Sequence, residues 1–74
     1  MNEEKLNIII ANNVKKFRKK QKLSKLKLSY FTDIPIKTIT NIEENKENIN
    51  ITTLYKISKV LKTPINNFFK ENND

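Results

Sequence analysis

Seventy-four residues with no cysteine, histidine or glycine set narrow limits on this chain. The length allows one small domain, near the lower limit for folding without staples. The missing residues exclude a disulfide frame, a zinc site of the usual Cys/His type and the side chain most used for acid–base catalysis near neutrality.

Stability must therefore come from helix packing, which requires nearly all of the 36% apolar residues. Net charge is +7 and unevenly placed: Lys15, Lys16, Arg18, Lys19, Lys20, Lys22, Lys25, Lys27 and Lys37 lie in a span whose one acid is Asp33. Abundant Lys, Asn and Ile also reflect an AT-biased coding sequence, which accounts for a high lysine count but not for its clustering. A positive face over the first three helices suits a polyanion.

The segment Met1 to Leu6 is expected to be frayed. Leu6, Ile9, Ile10, Val14 and Phe17 recur at helical spacing and predict a first helix from about Leu6 to Lys20. Ser24, whose hydroxyl can satisfy an orphan backbone N–H, opens a second helix to about Thr32 that is expected to bury Leu23, Leu28 and Phe31. Asp33-Ile34-Pro35 breaks it, since proline opposes helical geometry in the residue before it and suits the first turn of a new helix.

A third helix, about Ile36 to Glu44, places Ile39 and Ile42 on one face and Lys37, Thr38, Thr40 and Asn41 on the other. The polar loop NKENIN follows, and Asn50 caps a fourth helix with Ile51, Leu54, Ile57, Ser58 and Leu61 at helical spacing. Thr63 as cap and Pro64 in the first turn begin a short fifth helix through Ile65, Phe68 and Phe69, before the polar tail ENND.

Nothing alternates like a strand, so the fold class is all-α: one domain over residues 1–74, with a core of about 6–70 and flexible ends. No segment approaches the roughly 20 apolar residues of a membrane span. Ile8-Ile9-Ile10-Ala11 is short for a signal-peptide core and follows acids rather than bases, so a cytoplasmic location is expected.

A helix, a turn of three or four residues and a second helix with a polar outward face form the layout of a DNA-reading helix-turn-helix. Further residues fit a longer pattern. Ile10, Ala11, Val14, Phe17 and Arg18 precede Leu23-Ser24-Lys25, Asp33-Ile34 and Thr38-Ile39-Thr40-Asn41-Ile42-Glu43. Asn50-Ile51, Leu54, Ile57-Ser58-Lys59-Val60-Leu61 and Phe68-Phe69 continue it. Over roughly residues 9–69, without an insertion, the chain resembles the lambda-repressor-like helix-turn-helix family, also called the Cro/XRE family.

The resemblance implies a compact five-helix domain whose second and third helices form the helix-turn-helix. It further implies a sequence-specific double-stranded-DNA-binding transcriptional regulator, most simply a cytoplasmic bacterial or phage repressor binding an operator as a homodimer. No cofactor, metal or small-molecule ligand is expected. With no further domain in view, regulation would come from the protein's own concentration or from a partner. Phage repressors, restriction-modification controllers and toxin-neutralising regulators fit alike.

Arg18 is the one arginine among fifteen basic residues. Its planar fork can grip a carboxylate with two bonds, which lysine cannot, and the resemblance sets it against Glu43 as a structural ion pair. The chain also departs from the family pattern. Lys22, Asp33, Asn45 and Lys62 stand where the family often has glycine, so positive φ is expected at several of them, with a cost at the lysines. Lys25 replaces the frequent glutamine opening helix two, and Pro35 replaces the usual Ser or Thr cap of helix three.

Phosphate contacts are expected from Ser24 and Lys25 at the start of helix two, where the helix dipole favours an anion, and from Thr38 and Lys46 beside the recognition helix. Lys15 and Lys19 are either further contacts or solvated surface. Ile36, Lys37, Thr40 and Asn41 occupy the family's base-reading positions. Lys37 can donate to guanine N7 and O6, Asn41 can pair with adenine N6 and N7, and Ile36 or Thr40 can pack on a thymine methyl. Packing within the turn is an equal alternative for Ile36.

Candidate dimer contacts are Ile65, Phe68 and Phe69 with Tyr55; the favoured division has Phe68 completing the core and Phe69 alone exposed. A protein-interaction module on the same fold is the main alternative, with Glu43, Glu44 and Glu47 near the recognition helix as its support. Helix one as a membrane-surface helix is a weaker one, because its apolar stripe is needed to close the core. Ser24, Ser29, Ser58, Asp33 and the lysines form no catalytic constellation, so no enzyme is expected.

Overall fold

Three of the four α-helices begin at a side chain that accepts a hydrogen bond from an orphan backbone N–H. The computed structural model describes residues 2–71, and the expected tail lies, beyond Glu71, outside them. Helix α1 (Glu3–Lys20) starts earlier than the apolar pattern suggests. Asn2 Oδ1 accepts from Lys5 N at 2.7 Å, and Glu3 and Glu4 sit in the first turn, where the helix dipole favours acids.

Helix α2 (Lys25–Thr32) is capped by Ser24, whose Oγ accepts from Lys27 N at 3.0 Å. Helix α3 (Ile36–Glu43) starts after Pro35 with no side-chain cap. Helix α4 (Ile51–Val60) is capped by Asn50 Oδ1, which accepts from Thr53 N at 2.8 Å. Among the described residues there is no strand.

The expected fifth α-helix is a 3-10 helix, Ile65–Phe69. Pro64 holds its N-cap position, and the Thr63 hydroxyl donates back to the Leu61 carbonyl at 3.0 Å instead of capping. Asn13 supplies the reason for the tighter form. Its buried amide Nδ2 donates to the carbonyls of Phe68 at 2.8 Å and Lys70 at 2.9 Å, drawing the segment onto α1. Short 3-10 runs are common where a chain must turn tightly.

All four of the positions without glycine are left-handed: Lys22, Asp33, Asn45 and Lys62 have φ of 60°, 62°, 57° and 53°. Three of them close their helices by the same two bonds. At the end of α1, Leu23 N donates to Arg18 O and Lys22 N to Lys19 O; Lys46 and Asn45 do so after α3, Thr63 and Lys62 after α4. Asp33 ends α2 with a single bond to Ser29 O at 2.8 Å. Asp and Asn accept this backbone readily, whereas lysine's Cβ crowds the carbonyl. Lys22→Gly and Lys62→Gly are each expected to raise stability by about 1 kcal/mol, or about 4–8 °C in thermal midpoint. Circular-dichroism melting checks this, and a lower midpoint would refute it.

The core gathers Ile10 and Val14 from α1, Leu28 from α2, Ile39 and Ile42 from α3, and Leu54 and Ile57 from α4. Ile34 from the turn, Leu61 and Phe68 complete it. Phe17 and Phe68 meet edge to face, ring centres 5.0 Å apart. Helix α1 packs on α3 and the 3-10 helix, while α2 packs on α3 and α4.

Two expected core residues lie outside. Phe31 is 55% exposed, because the inward side of α2 is taken by Leu28 and Thr32, with Ile34 beside them. Ile51 is 63% exposed: it sits in the first turn of α4, before the chain reaches the core at Leu54. Among the described residues, no buried side-chain polar atom lacks a partner, and no helix is long and apolar enough to cross a membrane.

Candidate nucleic-acid interface

The turn between α2 and α3 is held by two hydroxyls of α2. Thr32 Oγ1 donates to Leu28 O at 2.6 Å and accepts from Ile34 N at 3.3 Å. Ser29 Oγ donates to Ile34 O at 2.5 Å. Ile34 is thereby drawn into the core and Pro35 left outside to start α3.

The far end of α3 is fixed by charge. Arg18 Nε donates to Glu43 Oε2 at 2.6 Å and Nη2 to Oε1 at 3.0 Å, while Nη1 donates to the Leu23 carbonyl at 2.8 Å. Both residues are buried. One guanidinium thus joins α1, the loop before α2 and the last turn of α3, and charge-assisted paired bonds of this kind are the strong ones.

Held at both ends, α3 buries Ile39 and Ile42 and turns its other side outward. Ile36 is 43% exposed. Lys37 is exposed, and Thr38, Thr40 and Asn41 are half-buried. Lys37 and Asn41 are four residues apart, hence on one face. Asn41 Nδ2 donates to Glu47 Oε1 at 3.2 Å, which leaves its carbonyl oxygen and second amide hydrogen free.

Ser24 is exposed at the N-terminus of α2, and its hydroxyl hydrogen is free because the oxygen serves as acceptor in the cap. Lys25 beside it is half-buried. Lys46 Nζ pairs with Glu44 Oε1 at 3.0 Å, both side chains largely in solvent. That hydrogen bond and charge hold the Glu44 carboxyl below the usual carboxylate range. The charges of Lys25 and Lys15 push the same way, against desolvation. A solvent-exposed pair such as Lys46–Glu44 contributes little, so Lys46 is easily released to another anion.

The candidate dimer residues separate. Phe68 is wholly buried in its own chain's core and cannot meet a second copy. Ile65 is half-buried and packed against that core. Phe69 and Tyr55 are 37% and 53% exposed.

Sequence reasoning gave Asn13 and Thr32 no part in the site, named Ser29 only in excluding catalysis, and read Glu47 as support for a protein-binding module instead of as the partner of Asn41. A polar residue between apolar positions of a helical stripe, as at Asn13 between Ile10 and Val14, was the available signal for the first. Glu47 carried none, because its bond to Asn41 depends on how the loop folds back.

A family model described as helix-turn-helix, HTH_3, matches residues 14–68. The crystal structure of an HTH_3 family transcriptional regulator from Vibrio cholerae superposes with a TM-score of 0.85 at 28% sequence identity, covering 92% of this chain. This chain spans 38% of that structure's length. No curated protein matches the chain.

Proposed function

Because this chain belongs to the HTH_3 helix-turn-helix family, we propose that it is a sequence-specific double-stranded-DNA-binding regulator of transcription. It acts in the cytoplasm, most simply as a repressor that covers a promoter as a homodimer. The observation that carries this reading is the outward side of α3, largely polar and open, on a helix fixed at both ends, in a chain of net charge +7.

In this reading α3 enters the major groove with Ile36, Lys37, Thr40 and Asn41 toward base edges. Ser24, Lys25, Thr38 and Lys46 hold phosphates on either side, so affinity and register come from them and sequence preference from α3. Lys46 exchanges Glu44 for phosphate. Glu47, already bonded to Asn41, leaves that amide one donor and one acceptor, the set adenine N7 and N6 require. A single domain reads few base pairs, so two copies on half-sites about one DNA turn apart supply specificity. Phe69, Ile65 and Tyr55 are the contacts proposed between them.

Of the carboxylates that would favour a protein-binding module, Glu43 is buried with Arg18 and Glu47 bonds Asn41.

Selection of bound sequences from a random duplex library tests the reading; a symmetric enriched motif is expected, and no enrichment would overturn it. On the selected site, Asn41→Ala is expected to lose about 1–3 kcal/mol of discrimination with little change in nonspecific affinity. Lys25→Ala is expected to weaken every duplex alike and to flatten the salt dependence by about 0.9 units of log K per log salt. The opposite ranking in titrations across salt would refute these roles.

A further inference from the structure

The outer side of α2 carries large apolar side chains that neither the core nor the proposed DNA contacts use. Tyr30 is 81%, Leu26 66% and Phe31 55% exposed. With Lys27 they line a shallow groove. Phe31 also lines a second groove with Leu23 and Val60, so the two form one surface running from α2 to the end of α4. Lys27, Lys59 and Lys62 border it, and among the described residues no carboxylate lines either groove. A contiguous exposed apolar surface on a small chain marks an interaction site.

Three kinds of occupant can be weighed. A second copy would bring the same surface against itself about a two-fold axis, closing one lysine-bordered patch on another with no carboxylate among the described lining residues to offset the charge. Single-stranded bases need flat aromatic faces to stack on, but Tyr30 and Phe31 lie edge to face at 72°, beside aliphatic Leu26, Leu23 and Val60. A protein segment with apolar anchors and acidic flanks meets both the groove and its cationic rim.

We propose that this surface docks a partner protein through an acidic amphipathic helix, whose apolar residues at i, i+3 or i+4, and i+7 enter the two grooves and whose Asp and Glu side chains meet Lys27, Lys59 and Lys62. None of the residues lining the two grooves is among those assigned to base reading or phosphate contact.

Selection from a displayed library of helical peptides against the full chain tests it. The expected result is enrichment of peptides combining that apolar spacing with acidic flanks. Tyr30→Ser with Phe31→Ser should then weaken the best of them more than roughly tenfold. Lys27→Glu should also weaken it, with the far-ultraviolet circular dichroism of both variants unchanged. No enrichment, enrichment of peptides without acids, or binding indifferent to these substitutions would overturn the proposal. So would concentration-dependent dimerisation, or binding of an oligothymidylate, abolished by Tyr30→Ser with Phe31→Ser.

Discussion

Glu43→Ala is expected to lower the stability of this protein by about 3–5 kcal/mol, because it leaves a guanidinium buried without its counter-charge. Arg18 is 7% exposed and makes three bonds, two of them to Glu43. After the substitution only the Leu23 carbonyl remains to it. Native domains hold about 0.05–0.15 kcal/mol per residue, so a chain of 74 residues has on the order of 4–11 kcal/mol in all. The variant should be largely unfolded at 37 °C or melt far below the parent.

Arg18→Lys keeps the charge but loses the two-point grip and the bond to Leu23, and its midpoint should fall by several degrees. Replacing both partners, Arg18→Met with Glu43→Leu, should recover much of the loss, since no buried charge is left unpaired. Thermal and urea unfolding of the three variants checks the set. An unchanged midpoint for Arg18→Lys would refute the importance of the pair.

Phe68→Ala should cost about 3–5 kcal/mol by cavity formation and lost transfer energy. Its ring is wholly buried against Phe17, on a segment held to α1 by the amide of Asn13. Loss of the ring removes the main reason for the 3-10 helix to lie on α1. Phe69→Ala, one residue on and 37% exposed, should cost less than about 1 kcal/mol and instead weaken self-association and binding to a two-site duplex. Unfolding curves separate the two residues, and sedimentation of Phe69→Ala tests the contact proposed for it. Equal destabilisation by both substitutions would refute the division.

These two predictions draw on different amounts of sequence information. The arginine–glutamate pair was legible because a single Arg among lysines is informative and the family resemblance supplied its partner. The sequence reading favoured Phe68 in the core and Phe69 alone exposed, and the structure agrees: the docking of their segment on α1 turns Phe68 inward and leaves Phe69 37% exposed. The expected fifth α-helix did not hold. Hydrophobic spacing over five residues does not distinguish 3-10 from α, and the choice fell to bonds from Asn13, more than fifty residues away.

On the candidate site, the outward placement of Lys37 and the inward placement of Ile39 and Ile42 followed from helical period alone. The bond between Asn41 and Glu47 and the hydroxyl braces at Ser29 and Thr32 required the folded turn and loop.

The caps at Ser24 and Asn50 and the facing of α3 were written in the chain itself, because a cap and the isoleucine spacing act within one or two turns. Their energies depend on nearest neighbours, which sequence order specifies. The Asn2 cap, by contrast, was not expected, and Thr63 does not cap. Tertiary structure alone decided that Phe31 and Ile51 stay in solvent, that Asn13 ties down the C-terminal segment, and that the apolar side chains of α2 meet Val60 of α4 in one surface. Those outcomes depend on which elements reach a given space first, and that is a property of the assembled bundle.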